Sequence, residues 1–175
     1  SELPLISGEI TFPGIGYVVE PKEKLGLANA TAELLRDGGT QTKSREEISR
    51  ILEGLAADVE ISMSYDKLSV GFSCLAADTP KVFELISEML SSPGFSEERL
   101  SLWKLQAKSE IVRRLDSPES ISNIIFKNYV YGPENVLGRV SSLETIEKIS
   151  RQDIIDWHHR YFSGAKPQFA ITGNI

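Results

Sequence analysis

The sequence predicts an α+β fold, a two-layer sandwich with a mostly antiparallel sheet and helices packed on one side. Three observations carry this. Two alternating runs, 59–63 and 68–74, are separated by a link short enough for a hairpin. A series of amphipathic segments opens on Ser, Thr or Pro and ends on Gly, Asp or Pro. Strand-like runs stand at both ends, LPLISGEITF and PQFAITGNI, the latter introduced by Pro167. Hairpin-linked strands followed by consecutive helices suit helices on one face of a sheet.

Residues 4–19 are apolar and broken by glycine, which predicts one strand, or two with a bulge at Gly14 and Gly16. Pro13 argues for an edge or a bend rather than a central strand. A helix over about 24–37 follows, with Leu27, Ala30, Thr31, Leu34 and Leu35 on one face. Gly38 and Gly39 end it, because glycine enters the left-handed conformation without strain. Ser44 and Glu47 form a capping box for a helix lined by Ile48, Ile51, Leu52 and Leu55. In the hairpin, Val59, Ile61 and Met63 face Leu68, Val70, Phe72 and Cys74 across the link Tyr65-Asp66, leaving the other face wet.

Thr79 and Pro80 open a helix with a stripe of Val82, Phe83, Ile86, Met89 and Leu90, ended by Pro93-Gly94. Ser96 caps the longest helix, 97–115, with Leu100, Trp103 and Ala107 as its buried stripe. Pro118 begins a helix carrying Ile121, Ile124, Ile125 and Tyr129. Residues 132–141 form a loop. Ser142 starts a short helix with Ile146 and Ile149, and Ser150 caps another with Ile154, Ile155, Trp157 and Tyr161.

The chain has 175 residues, 41% hydrophobic and 25% charged, enough for one domain with a core. The net charge of −6 is spread along the chain, against the clustered Lys and Arg of a nucleic-acid face. No apolar run approaches the roughly 20 residues of a membrane span. Cys74 is the one cysteine, so no internal disulfide forms, and its place in the strand pattern makes it core rather than nucleophile. His158 and His159 are adjacent, so on a helix they diverge by about 100° and share no metal. GIG at 14–16 lacks the third glycine and the context of a dinucleotide loop.

The stretch GLANATAELLRDGGT, 26–40, resembles the signature helix of the insulinase/pitrilysin zinc metallopeptidases, an inverzincin family. There His-x-x-Glu-His follows a Gly-Leu-Ala opening and precedes a Gly-Thr turn. Gly26, Leu27 and Ala28 match the opening; Gly39 and Thr40 match the turn, with one extra residue between. LEGLAADVEISMSYDKLSVGFSCL, SPGFSEERL, SEIVRRLDSPESI and DIIDWHHRYFSGAKPQFAITGNI resemble, in order, the family's later segments. The resemblance covers nearly the whole chain and implies a single metallopeptidase-like domain over 1–175, a piece of a longer chain with a second similar domain.

The resemblance also assigns the metal positions. The two histidines fall on Asn29 and Glu33, and the catalytic Glu on Ala32. The third ligand, a Glu of the long helix, falls near Glu110, 77 residues after Glu33; the extra residue before Thr40 explains the offset of one. Glu110 is better explained by an ion pair with Arg113 or Arg114 one helical turn on. An oxygen-only set of Asn29, Glu33 and Glu110 would suit Mg or Ca better than zinc, with few ligands for either.

The expectation is therefore a chain with no catalytic residue and no metal or other cofactor of its own. It resembles the zinc-motif-lacking subunit of bacterial heterodimeric peptidases and of mitochondrial processing peptidase. The resemblance implies a zinc-bearing partner subunit of the same family, an unfolded peptide as substrate, and a chamber formed by the two subunits. The alternative is a scaffold, like the core proteins of respiratory complex III. No nucleic acid and no membrane span enter either reading; a bacterial cytoplasm or periplasm is expected, with the compartment open.

Overall fold

The computed structural model describes residues 4–173. Four strands form one antiparallel sheet in the order β2-β3-β1-β4: β1 Leu5–Pro13, β2 Asp58–Met63, β3 Lys67–Leu75 and β4 Gln168–Gly173. Seven α-helices are described: α1 Leu27–Asp37, α2 Arg45–Gly54, α3 Thr79–Ser91, α4 Glu97–Leu115, α5 Pro118–Tyr131, α6 Leu143–Glu147 and α7 Arg151–Phe162. The α+β expectation holds. The final strand was expected to run on through Asn174 and Ile175, and the first to include Leu3; those residues lie outside the described ones.

The core follows the alternation in the sequence. Val59, Ile61 and Met63 of β2 and Leu68, Val70, Phe72 and Cys74 of β3 are buried, together with Ile6, Ile10 and Phe12 of β1. Helix α1 lies against β2 and also touches α3, α4 and α7. It therefore buries far more than one stripe: Leu27, Ala28, Ala30, Thr31, Ala32, Leu34 and Leu35 are all inside. Small residues at 28, 30 and 32 allow close approach on several sides, while Leu34 and Leu35 each stabilise by about 1.5–3 kcal/mol on burial.

Four corrections to the sequence reading have physical causes. First, β1 is interior, with β3 on one side and β4 on the other, although it ends in Pro13. The β4 ladder stops at Thr11↔Gln168, so the missing N–H of Pro13 falls beyond it. Second, no strand continues to residue 19. Gly14, at φ +79°, turns the chain, and Gly16 lies so close to the hairpin tip that a Cβ would sit 2.5 Å from the Tyr65 carbonyl oxygen. The Gly14, Tyr17 and Val18 amides donate to Asp66, Ser64 and Tyr65 carbonyls at 2.7, 3.1 and 2.9 Å, and short 3₁₀ turns occupy Tyr17–Val19 and Lys22–Lys24. Third, α1 begins at Leu27, because Gly26 takes φ +108° immediately before it. At its other end Gly38 is right-handed at φ −84°; the left-handed residue is Gly39, at φ +74°. Fourth, α5 has no buried residue. It touches α4 from outside, so Ile124 is only half-buried and Ile125, Phe126, Tyr129 and Val130 are exposed.

The caps at Ser44, Ser96, Ser142 and Ser150 are as the sequence indicates, and Ser117 caps the helix that Pro118 opens. The Glu47 amide donates to Ser44 Oγ at 3.2 Å, and the Ser44 amide donates to Glu47 Oε2 at 2.7 Å. Ser96, Ser117, Ser142 and Ser150 each accept from a first-turn amide of the helix they precede. Each such cap contributes about 1 kcal/mol.

Edge strand β2 is partly closed. In an antiparallel ladder alternate residues turn their N–H and C=O away from the partner strand. Ser64 N–H donates inward to Lys67, so the backbone N–H and C=O groups of Val59, Ile61 and Met63 point away from β3, while their side chains stay in the core. Arg36 Nε donates to the Val59 carbonyl at 2.6 Å, and Tyr17 OH donates to the Met63 carbonyl at 2.9 Å. The Ile61 carbonyl stands between them.

Candidate functional site

Helix α1 carries three of the four positions singled out in the sequence. Asn29 and Glu33, one turn apart, are exposed on one face. Ala32 is buried at 3% exposure and packs in the core. Glu110 is exposed on α4, and among the described residues it makes no ion pair, so the expected link to Arg113 or Arg114 is not formed. A methyl group can neither bind a metal nor take a proton from water. An amide and two exposed carboxylates do not make the nitrogen and sulfur set that zinc prefers. The residues present do not fit a zinc centre.

Asn29 opens onto a cleft of about 650 Å³. One wall is the entry to α1, with Tyr17, Glu20, Leu25 and Gly26. The opposite wall is α5, with Ser120, Asn123, Ile124 and Lys127, flanked by Arg114 of α4. The loop carrying Val136, Leu137 and Arg139 closes one end, and Tyr65 of the hairpin stands at another. Glu33 and Glu110 do not line it.

Glu20 organises the near wall. Gly26 leaves α1 with no capping side chain, so the first-turn amides need another acceptor. Glu20 reaches forward from six residues upstream. Its Oε1 accepts from the Gly26 amide at 3.0 Å and the Ala28 amide at 2.7 Å. The positive end of the helix favours a carboxylate there. Burial dominates nevertheless and raises its pKa to about 7, against the two amide hydrogen bonds and the charge of Arg139, which lower it. The Arg139 guanidinium is held by the Glu134 carbonyl, at 3.2 Å from Nε and 3.0 Å from Nη2.

The other candidates are structural. His158 is 7% exposed; its Nε2 lies 2.8 Å from the Leu90 carbonyl, and its ring stacks on Phe162 at 4.5 Å. Burial pushes its pKa below the ordinary histidine value. His159 is exposed, with its ring centroid 6.0 Å from that of His158, and both line the same cleft between sheet and helices. Cys74 is buried beside Thr79, with Sγ 3.6 Å from Oγ1. A second cleft of about 460 Å³, between sheet and helices, is lined mainly by apolar groups including Phe12, Phe83 and Phe162. No described helix is long and apolar enough to cross a membrane.

Glu20, Lys127 and Arg139 were not singled out from the sequence, and Arg114 only as an ion-pair partner for Glu110. Glu20 had one signal: it lies shortly before a helix whose cap position is glycine, a donor set in need of an acceptor. The three cations had none, since they come from α4, α5 and a loop.

The fold and the composition of α1 can be set beside known proteins. The chain is 21% identical over 174 residues to the "non-peptidase homolog YmxG" of Helicobacter pylori, covering 99% of this chain and 40% of that protein. It is 24% identical over 138 residues to the mitochondrial-processing peptidase subunit alpha-1 of Dictyostelium discoideum, covering 77% of this chain and 21% of that one. The crystal structure of a peptidase M16 inactive domain from Pseudomonas fluorescens superposes with a TM-score of 0.89 at 21% identity, over 99% of this chain and 42% of that one. The chain thus spans about a fifth to two fifths of the relatives it matches. The model of the insulinase family, peptidase family M16, matches residues 14–131, which hold α1, the hairpin and most of the cleft, and this chain belongs to that family.

Proposed function

We propose that this chain is part of a non-catalytic subunit of an insulinase-type peptidase, where it forms one wall of a chamber that binds unfolded peptide. The observation that carries this is α1: at the family's ligand and base positions it presents Asn29, Glu33 and the buried Ala32. With alanine at the base position and no histidine at either ligand position, that face has no metal-activated water, so the metal and its general base belong to a partner subunit of the same family. This chain holds no zinc and hydrolyses nothing by itself. Two further features support the reading. The outer faces of α4 and α5 expose Leu105, Ile125, Phe126 and Tyr129, apolar groups of the kind that mark protein contact. The sheet has two edges: β2 is engaged by Arg36 and Tyr17 and offers a peptide only a short ladder, while β4, exposed throughout, is the edge open to strand addition.

The test is to isolate the full polypeptide from its native lysate with whatever binds it stoichiometrically. The expected partner carries His-x-x-Glu-His, and the complex shows chelator-sensitive peptidase activity that neither subunit has alone. Recovery of an assembly with no such partner and no peptidase activity refutes the proposal and points to a scaffold.

A further inference from the structure

The cleft at the start of α1 differs from the rest of the surface in its charge. The chain carries 25 acidic and 19 basic residues, and the cations elsewhere are commonly paired. Lys22, Lys24, Lys43, Lys67, Lys81, Lys108 and Lys148 each meet a carboxylate, and Arg36, Arg45 and Arg99 converge on Asp37. Arg50, Lys104, Arg113, Arg151, Arg160 and Lys166 also lack an ion pair among the described residues, but no two of them line one described cleft, whereas the cleft at α1 gathers three. Arg114, Lys127 and Arg139 line it, and among the described residues none has an ion-pair partner. Its one carboxylate, Glu20, is 9% exposed and accepts two backbone amides on Oε1; Arg139 is the cation whose charge acts on it, so three cations face a single carboxylate. Helices α4 and α5 and the following loop converge to hold three like charges around one concavity. Like charges gathered in a concave site focus a potential of one sign and call for a ligand of the other.

We propose that this cleft is a docking site for carboxylate-bearing side chains, so that the peptides bound by this subunit are selected for an acidic stretch. Arg114, Lys127 and Arg139 bind the carboxylates, Arg114 and Arg139 with the planar fork that suits them. Tyr17, Tyr65 and Ile124 offer apolar surface for the neighbouring part of the peptide. The inference rests on the peptide-binding reading above and adds the substrate's charge to it.

The test uses the full polypeptide and three labelled, unfolded peptides of equal length, with a central block of Glu, Gln or Lys, measured by fluorescence anisotropy. The Glu peptide is expected to bind about tenfold tighter than the Gln peptide, as three partly exposed ion pairs allow, and the Lys peptide weakest. The preference shrinks at high salt, since exposed charges are screened. Arg114→Gln and Lys127→Gln each narrow the ratio between Glu and Gln peptides by about two- to fivefold. Lys81→Gln, on α3 away from the cleft, leaves the ratio unchanged. Circular dichroism of each variant confirms that the fold is kept. Equal binding of Glu and Gln peptides, or a ratio that ignores both cleft substitutions, overturns the acidic preference and leaves the peptide-binding reading standing. Failure of all three peptides to bind overturns both.

Discussion

Replacing Glu20 by Gln should flatten part of the pH profile of stability. In the folded chain the Glu20 carboxyl titrates at about 7, mainly because it is buried, whereas in the unfolded chain it reverts to the ordinary value of 4.5. Between those values the folded state holds a proton that the unfolded state has released. Stability therefore falls as pH rises through this window, and the contribution is complete above the folded pKa. The separation corresponds to about 3 kcal/mol, at 1.36 kcal/mol per unit. Glutamine never ionises, yet its side-chain oxygen still accepts from the Gly26 and Ala28 amides. Urea unfolding followed by fluorescence of the buried Trp103 and Trp157 gives the difference between the two proteins at each pH. The variant should gain on the native chain by up to about 3 kcal/mol between about pH 4.5 and about pH 8. His158, whose pKa is lowered by burial, costs stability on the acid side in both proteins and cancels in the difference. Parallel profiles would refute the assignment of Glu20 as a buried cap. Glu20→Ala, which orphans both amides, should instead cost about 1–2 kcal/mol on the acid side of the window as well.

Glu88 behaves in the opposite sense. Lys43 above all, then Thr40 at 2.6 Å and Thr42 at 2.5 Å, hold its carboxyl down to about 2. Glu88→Gln should therefore lose about 1 kcal/mol at neutral pH, a deficit that fades as acid approaches pH 2 and is read from denaturant midpoints. Gly26→Ala should lower the melting temperature by several degrees, because a Cβ at φ +108° would lie 2.6 Å from Ile146 Cδ1. Leu34→Ala, at 1% exposure in α1, should cost about 2–5 kcal/mol in urea without altering the Gly26 turn.

What the sequence reveals follows the range of the forces involved. The Ser44–Glu47 capping box, the β2–β3 hairpin and the Leu100–Trp103 stripe are local patterns, and each appears where the residues place it. The interior position of β1 depends on where β4 stops, a contact between the two ends of the described chain. Helix α5 has an apolar pattern like that of a buried helix, yet nothing in the described residues covers Ile125 or Phe126. The cleft is hardest to see: Asn29, Arg114, Lys127 and Arg139 are far apart in sequence, and only folding collects them. The α1 positions were legible because they stand within one continuous segment.

Helix α5 also sets how the cleft breathes. A 14-residue helix with no buried side chain is held by its Ser117 cap, its own hydrogen bonds and contact with α4. Isolated helices of this length are marginal in water. Its opening therefore costs much less than unfolding α1, whose interior face is almost sealed. Amide hydrogens of residues 121–130 should exchange with solvent long before those of residues 30–35. One wall of the cleft is thus a hinged panel and the other a fixed post. An occupant larger than the cleft's volume of about 650 Å³ can be admitted by moving the panel, with the sheet and α1 undisturbed.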